Sequence, residues 1–424
     1  MTTLDRLRKP AMARMILWTG GLFGWIAFAG LTSQMYRNTP PRAGFDLELL
    51  IAGGRDVAAG ISPYDSAMLA GRPVDIADLF YAYPPIVAQV FSLFASLPSV
   101  AISAIAVATA TLAAVVVGRA TATAFGGPAI GRAAMLPMAA LLPFWFPYTV
   151  GMLFGNIDIF FPALYGLILL AVVRGQGAGS ERWVIVGGLA LALASIVKLH
   201  PAVLGVWMLA RGLVEWRRQD RGAQRQAVPR SWRIAGVSIV AVAVVLGLSL
   251  AVGGVQPWVD YVTVLRAGTS VDLLDTRNLG PGVQIVMLLG LGPSAVGPVQ
   301  LVVLVSALLV AISAAMRVDD PLESLTWAAT ASFIVLPVTW FHHFAALIPF
   351  GIAALARGAT ADPASRRQLW ILLGLTFAII TVGFAGPPTW LLVPVFIAAM
   401  RISRTRSAPQ PSQEPEPRLA QVGG

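Results

Sequence analysis

The chain has no cysteine among its 424 residues. Disulfide bonds and thiolate metal sites are therefore excluded. Charge is also scarce: 12% of the residues are Asp, Glu, Lys or Arg, against about 25% in a soluble domain. Histidine occurs only at His200, His342 and His343, and lysine only at Lys9 and Lys198. The short alternating segments of a transmembrane β-barrel are missing. So are a phosphate-binding Gly loop, a zinc helix motif and a nucleophile elbow. No ATP-driven chemistry is expected within the chain, so a substrate must bring its own activation.

Apolar residues are plentiful, at 57%. They lie in runs that approach or exceed the ~18–20 residues needed to cross a bilayer. The expected fold class is all-α, a polytopic integral membrane protein. The net charge of +10 suggests a nucleic-acid partner at first. The arginines, however, are spread over many short loops, as the positive-inside rule predicts, and no nucleic acid is expected. Arg6, Arg8, Lys9 and Arg14 precede the first run, and no clear cleavage site follows it, which reads as an uncleaved first helix.

The runs predict about twelve spans: 13–35, 100–118, 133–148, 156–173, 183–197, a short one ending at Arg211, 234–252, 295–316, 324–340, 342–356, 368–385 and 390–400. Arg119 and Arg132 are expected to bracket an inner loop. Pro84–Leu97 and Gly282–Leu291 are too short to span comfortably and read as surface-lying helices. With both termini inside, inner segments hold 23 Lys or Arg and outer segments 7. The domain reading is one transmembrane unit over 1–402, with a long first external loop at 36–83 and a basic cytoplasmic loop at 211–233. A Pro- and Ser-rich cytoplasmic tail at 403–424 is expected to be disordered.

This topology gathers Asp46, Tyr83, Asn156, Asp158, Lys198, His200, Asn278, His342 and His343 on the external face. Ionisable groups near or within a membrane are costly and usually functional. A carboxylate, a lysine and histidines lining one cavity suit an anionic amphiphile. Each residue also has a plainer reading. Asp46 could be a solvated loop acid, Asn156 a helix N-cap, Lys198 a snorkelling side chain, and the histidines interfacial. Adjacent histidines on a helix point about 100° apart, which argues against both binding one metal ion.

The order and spacing of several motifs resemble glycosyltransferase family 87. They are Asp46 after the first span, Gly60-Ile61-Ser62-Pro63-Tyr64, Phe80-Tyr81-Ala82-Tyr83-Pro84-Pro85, Gly155-Asn156-Ile157-Asp158, Lys198-Leu199-His200-Pro201, Asn278 and Trp340-Phe341-His342-His343. The resemblance implies a GT-C fold and an inverting sugar transfer, with mannose as the sugar. The donor would be a polyprenyl-phosphate sugar and the acceptor a glycolipid or lipoglycan among the membrane lipids. It further implies Asp46 as general base and places His342 or His343 near the donor; Lys198, a lone lysine beside His200, and Asn278 are read as further contacts to the donor phosphate or sugar. Tyr64, Tyr83, Asn156, Asp158 and His200 would line the acceptor cavity. No nucleotide cofactor and no metal are expected. The competing class is a multi-pass transporter or flippase of a lipid-linked glycan, which shares the span count and the embedded polar groups. It is disfavoured by the absence of an internal repeat.

Overall fold

The computed structural model describes residues 10–38, 43–70, 81–174, 180–219, 228–268, 274, 277–382 and 386–404. Asp75, Asp78 and Phe80 of the first loop, residues 220–227 of the basic loop and the tail from 405 lie outside the described residues. Every regular element described is helical. Among the described residues, five helices are long and apolar enough to cross a membrane: Ala11–Tyr36, Ser99–Phe144, Ser180–Val197, Arg230–Gly253 and Pro293–Arg317. Two shorter apolar helices, Ile157–Val173 and Pro387–Ser403, accompany them. The protein is membrane-embedded.

The helices sort by burial. α1 (Pro10–Tyr36) carries Trp18, Leu22, Phe23 and Ile26, all exposed. Without a membrane that face would be a costly apolar surface, and against lipid it needs no cover. At the centre, a 3-10 turn over Ile157–Phe160 leads into a short helix, Phe161–Val173, that buries Phe161, Tyr165, Ile168, Leu169 and Leu170. A helix apolar all round belongs in a core. The helix Pro321–Ile334 and the turns over Phe341–Leu347 pack against it in the same core.

The inner loop expected between Arg119 and Arg132 is instead helical. One run, Ser99–Leu141, continues through both arginines and reverses at Gly127, where φ is 86° and Pro128 follows. The second leg folds back onto the first. A Cβ on Gly118 would lie 2.5 Å from Met138 Sδ, and one on Gly131 would lie 1.9 Å from Thr123 Oγ1. The turn is therefore tighter than the charge pattern suggested, because one positive-φ glycine suffices to reverse the chain.

The first loop also has structure. α2 (Phe45–Ala58) is a helix that packs on α3 (Pro85–Ser92), with Leu50, Val87 and Ala88 between them. Gly54 permits the contact, since a Cβ there would meet the Phe91 backbone at 2.6 Å. Tyr64, Tyr81 and Tyr261 complete this cluster. On the basic side of the protein, Glu323 meets Arg401 Nε at 2.8 Å and Arg404 at 3.2 Å. Asp320 meets Arg357 at 2.6 Å, and Arg357 also donates to Ser403 Oγ at 2.9 Å and Met400 O at 2.8 Å, which ties the helix Leu392–Ser403 to the core.

Candidate active site

Local backbone chemistry brings Asp46 to the site. The helix Phe146–Phe154 ends at Gly155 in the left-handed conformation, φ 69°. Glycine is the usual residue for such a cap. The start of α2 docks on this end. Gly44 N donates to Leu153 O at 2.9 Å, and the Phe45 and Phe154 rings lie 5.2 Å apart. A Cβ on Gly155 would lie 2.6 Å from Leu47 Cβ. Gly155 thus lets the first turn of α2, which carries Asp46, approach the loop 155–158.

Asn156 caps the 3-10 turn that follows, its Oδ1 accepting from Asp158 N at 2.9 Å. Its Nδ2 donates to Asp46 Oδ2 at 2.7 Å. Lys198 stands where the helix Ser180–Val197 ends. Its Nζ is 2.8 Å from Asp158 Oδ1, 3.4 Å from Asn156 Oδ1 and 3.3 Å from His343 Nε2. The Nε2 atoms of His342 and His343 lie 3.5 and 3.3 Å from Asp158 Oδ2. Asp158 thus sits at ion-pair distances from three partners, yet neither of its oxygens forms an aligned hydrogen bond. The Tyr83 ring lies 5.8 Å from Lys198 Nζ.

The sequence argument that the adjacent histidines diverge does not hold. They occupy a 3-10 turn, Phe341–Leu347, and both rings face one carboxylate oxygen. Asp158, His342 and His343 bring their ligand atoms within 4.8 Å of one another, a set that could hold a metal ion. The tautomer of His343 argues against that use. Trp340 N donates to His343 Nδ1 at 2.8 Å, so Nδ1 carries the lone pair and the neutral ring carries its proton on Nε2. A metal-ligating histidine shows the opposite pattern, with its far nitrogen donating outward. His343 Nε2–H and the Lys198 ammonium are both donors, which suits an anion better than a cation.

The other predicted residues take supporting places. Asn278 is wholly buried, and its carboxamide braces backbone: Oδ1 accepts from Gly280 N at 2.8 Å and Thr339 N at 3.1 Å, and Nδ2 donates to Pro337 O at 3.1 Å. It thereby holds the strand of chain leading to His343. Tyr64 is buried in the aromatic cluster and gives its hydroxyl to Tyr83 O at 3.0 Å. His200 lies behind His343 with ring centroids 5.6 Å apart, against Phe161 and Phe333. Neither of its ring nitrogens has a hydrogen-bond partner among the described residues. Trp340 N and Thr339, which orient His343, were missed as contributors from sequence. The only signal was their adjacency to the paired histidines.

Burial raises the pKa of Asp46 above the usual carboxylate range, and the Asn156 hydrogen bond and the Lys198 charge oppose that rise. Such opposition between burial and specific partners is common where a group does chemistry.

The sequence profile of glycosyltransferase family 87 matches residues 81–339. Two proteins of Mycobacterium tuberculosis are similar. One is a polyprenol-phosphate-mannose-dependent alpha-(1-2)-phosphatidylinositol pentamannoside mannosyltransferase of strain CDC 1551 / Oshkosh. It is 26% identical over 228 residues, covering 53% of this chain and 48% of the relative. The other is a polyprenol-phosphate-mannose-dependent alpha-(1-2)-phosphatidylinositol mannoside mannosyltransferase of strain ATCC 25618 / H37Rv. It is 25% identical over 366 residues, covering 80% of this chain and 76% of the relative. The chain therefore spans about half the length of the first relative and about three quarters of the second.

Proposed function

The chain belongs to glycosyltransferase family 87, and on that premise we propose that it moves a mannosyl group from a polyprenyl-phosphate donor to a lipid-linked glycan. The names of the two similar proteins support the donor, and their phosphatidylinositol mannoside acceptors indicate the kind of acceptor. The observation that carries the reading is the placement of Asp46, hydrogen-bonded to Asn156, beside the donor pair Lys198 Nζ and His343 Nε2–H. A base and an anion site lie next to each other, as a one-step displacement requires.

In that step the acceptor hydroxyl oxygen attacks the anomeric carbon while its proton passes to Asp46. The bond from the anomeric carbon to the phosphate oxygen breaks, and its electron pair leaves with the lipid phosphate. Lys198 and His343 hold the phosphate charge, as ammonium and imidazole donors can. Attack from the far side inverts the anomer, giving an α-mannoside from a β-linked donor. No nucleotide is needed, because the lipid phosphate is already the leaving group. An apolar groove of about 700 Å³ between α1 and the hairpin Ser99–Leu141 supports a place for the prenyl tail. Trp25, Phe28, Val107 and Met152 line it.

The topology that fits is the GT-C arrangement of about twelve spans in one unit over 1–402, with both termini cytoplasmic and the site outside. The excess of basic residues on the assigned inner segments supports this orientation. The experiment is transfer of radiolabelled mannose from polyprenyl-phosphate mannose to mycobacterial membrane glycolipid by the purified protein. Asp46→Asn should lower transfer by about a hundred-fold or more and leave donor binding intact. No transfer by the unaltered protein with several polyprenyl-phosphate sugars would sink the assignment.

A further inference from the structure

The geometry points to Asn156 as a positioning residue that couples the proposed base to the proposed donor site, holding one oxygen of Asp46 and leaving the other for the acceptor hydroxyl. The inference rests on the functional reading above and assigns Asn156 a task of its own within it. Its basis is the orientation of the Asn156 carboxamide, which a backbone group decides. Asp158 N–H can only donate, and it points at Oδ1 from 2.9 Å. The NH₂ end must then face Asp46 Oδ2, at 2.7 Å. Lys198 reinforces the same orientation, since its ammonium can only donate and reaches Oδ1 at 3.4 Å.

Asn156 is 3% exposed. Its carboxamide is therefore largely shielded from solvent, and a flip would face two donors with a third. Asp46 receives an N–H on one oxygen, which favours its carboxylate form. The charged and titratable groups around it are Lys198, which also favours that form, Asp158, which does not, and Tyr83, a neutral phenol whose ionisation the Asp46 charge opposes. Burial works against the carboxylate, so Asn156 offsets the penalty of placing a base in an enclosed site. A lipid phosphate drawn to Lys198 would occupy the ammonium and weaken its help to Asp46. The bond from Asn156 would persist, because Asp158 N–H anchors it independently of Lys198.

The test is the pH dependence of kcat/KM for the acceptor in purified Asn156→Ala and Asn156→Asp, alongside Asp46→Asn. A base is active when deprotonated, so activity is lost as pH falls through its pKa. Raising that pKa moves the acidic limb to higher pH. Asn156→Ala removes one hydrogen bond to a charged group and should move the limb up by about one to two pH units, with activity regained at alkaline pH. Asn156→Asp keeps an acceptor for Asp158 N–H, so the 3-10 cap survives, but sets a second carboxylate against Asp46. It should move the limb further still. A purely structural role would lower activity evenly at every pH, and unmoved limbs in both variants would overturn the coupling. The two readings fail separately. Unmoved limbs with an inactive Asp46→Asn reject the role of Asn156 alone, whereas an active Asp46→Asn rejects the base itself.

Discussion

Lys198 Nζ lies 2.8 Å from the carboxylate of Asp158, whose side chain is 1% exposed. Removing one partner of a buried pair leaves a charge uncompensated, at a cost of about 3–5 kcal/mol. Lys198→Ala should therefore lower thermal stability, and adding Asp158→Asn should recover most of it. Donor use should behave differently. If Lys198 holds the lipid phosphate, the double variant stays about ten-fold or more below the unaltered protein in kcat/KM for the donor. Recovery of both stability and donor use would show that the lysine serves only to neutralise Asp158.

Gly155 offers a test of how α2 is seated. Alanine there would hold a left-handed φ of 69° and bring its Cβ to 2.6 Å from Leu47 Cβ. The backbone strain alone is about 1–2 kcal/mol. The clash would push the first turn of α2, and Asp46 with it, away from Asn156. Gly155→Ala should therefore lower transfer by about ten-fold or more, since about 1 Å of displacement suffices for a large loss. Gly60→Ala is the control. It has φ 74° and no atom within 4 Å of its Cβ. It should show similar strain and nearly normal transfer.

The tautomer of His343 predicts the result of a shape-selective substitution. His343→Asn can still accept from Trp340 N through its short side chain, but it has nothing at the position of Nε2. Folding should be kept and donor kcat/KM should fall by about ten-fold. His343→Gln reaches farther and should retain more donor use. Because Nε2 is a donor in this arrangement, dialysis against a chelator should leave transfer unchanged. Activity lost to the chelator and restored by a divalent ion would instead make Asp158, His342 and His343 a metal site.

Orientation in the membrane can be read with single cysteines, because the chain has none of its own. Asp65→Cys, on the face assigned outside, should react with a membrane-impermeant maleimide in sealed, right-side-out vesicles. Ala364→Cys, on the face assigned inside, should react only after permeabilisation. Both side chains start exposed. The reverse pattern would place the Asp46 site on the cytoplasmic face.

Some of this protein was legible from residues alone, and the physical reason is that bilayer chemistry is local. Long apolar runs with few charges must satisfy their backbone internally, so helices were the only outcome. The helix from Pro10 to Tyr36 and that from Arg230 to Gly253 follow directly. The motif order likewise marked Asp46, Lys198 and the paired histidines before any geometry was known; the family match covers residues 81–339, which include Lys198 but neither Asp46 nor the two histidines. Tertiary structure decided what depends on long-range packing. The bond from Asn156 to Asp46 joins residues 110 positions apart, and no periodicity encodes it. It depends on Gly155, which leaves out a side chain where the end of one helix meets Leu47 at the start of α2. The reversal at Gly127 likewise hid inside a run that read as a charged loop. The convergence of His342 and His343 on Asp158 required a 3-10 turn rather than an α-helix, a difference of one hydrogen-bond register that sequence spacing does not determine.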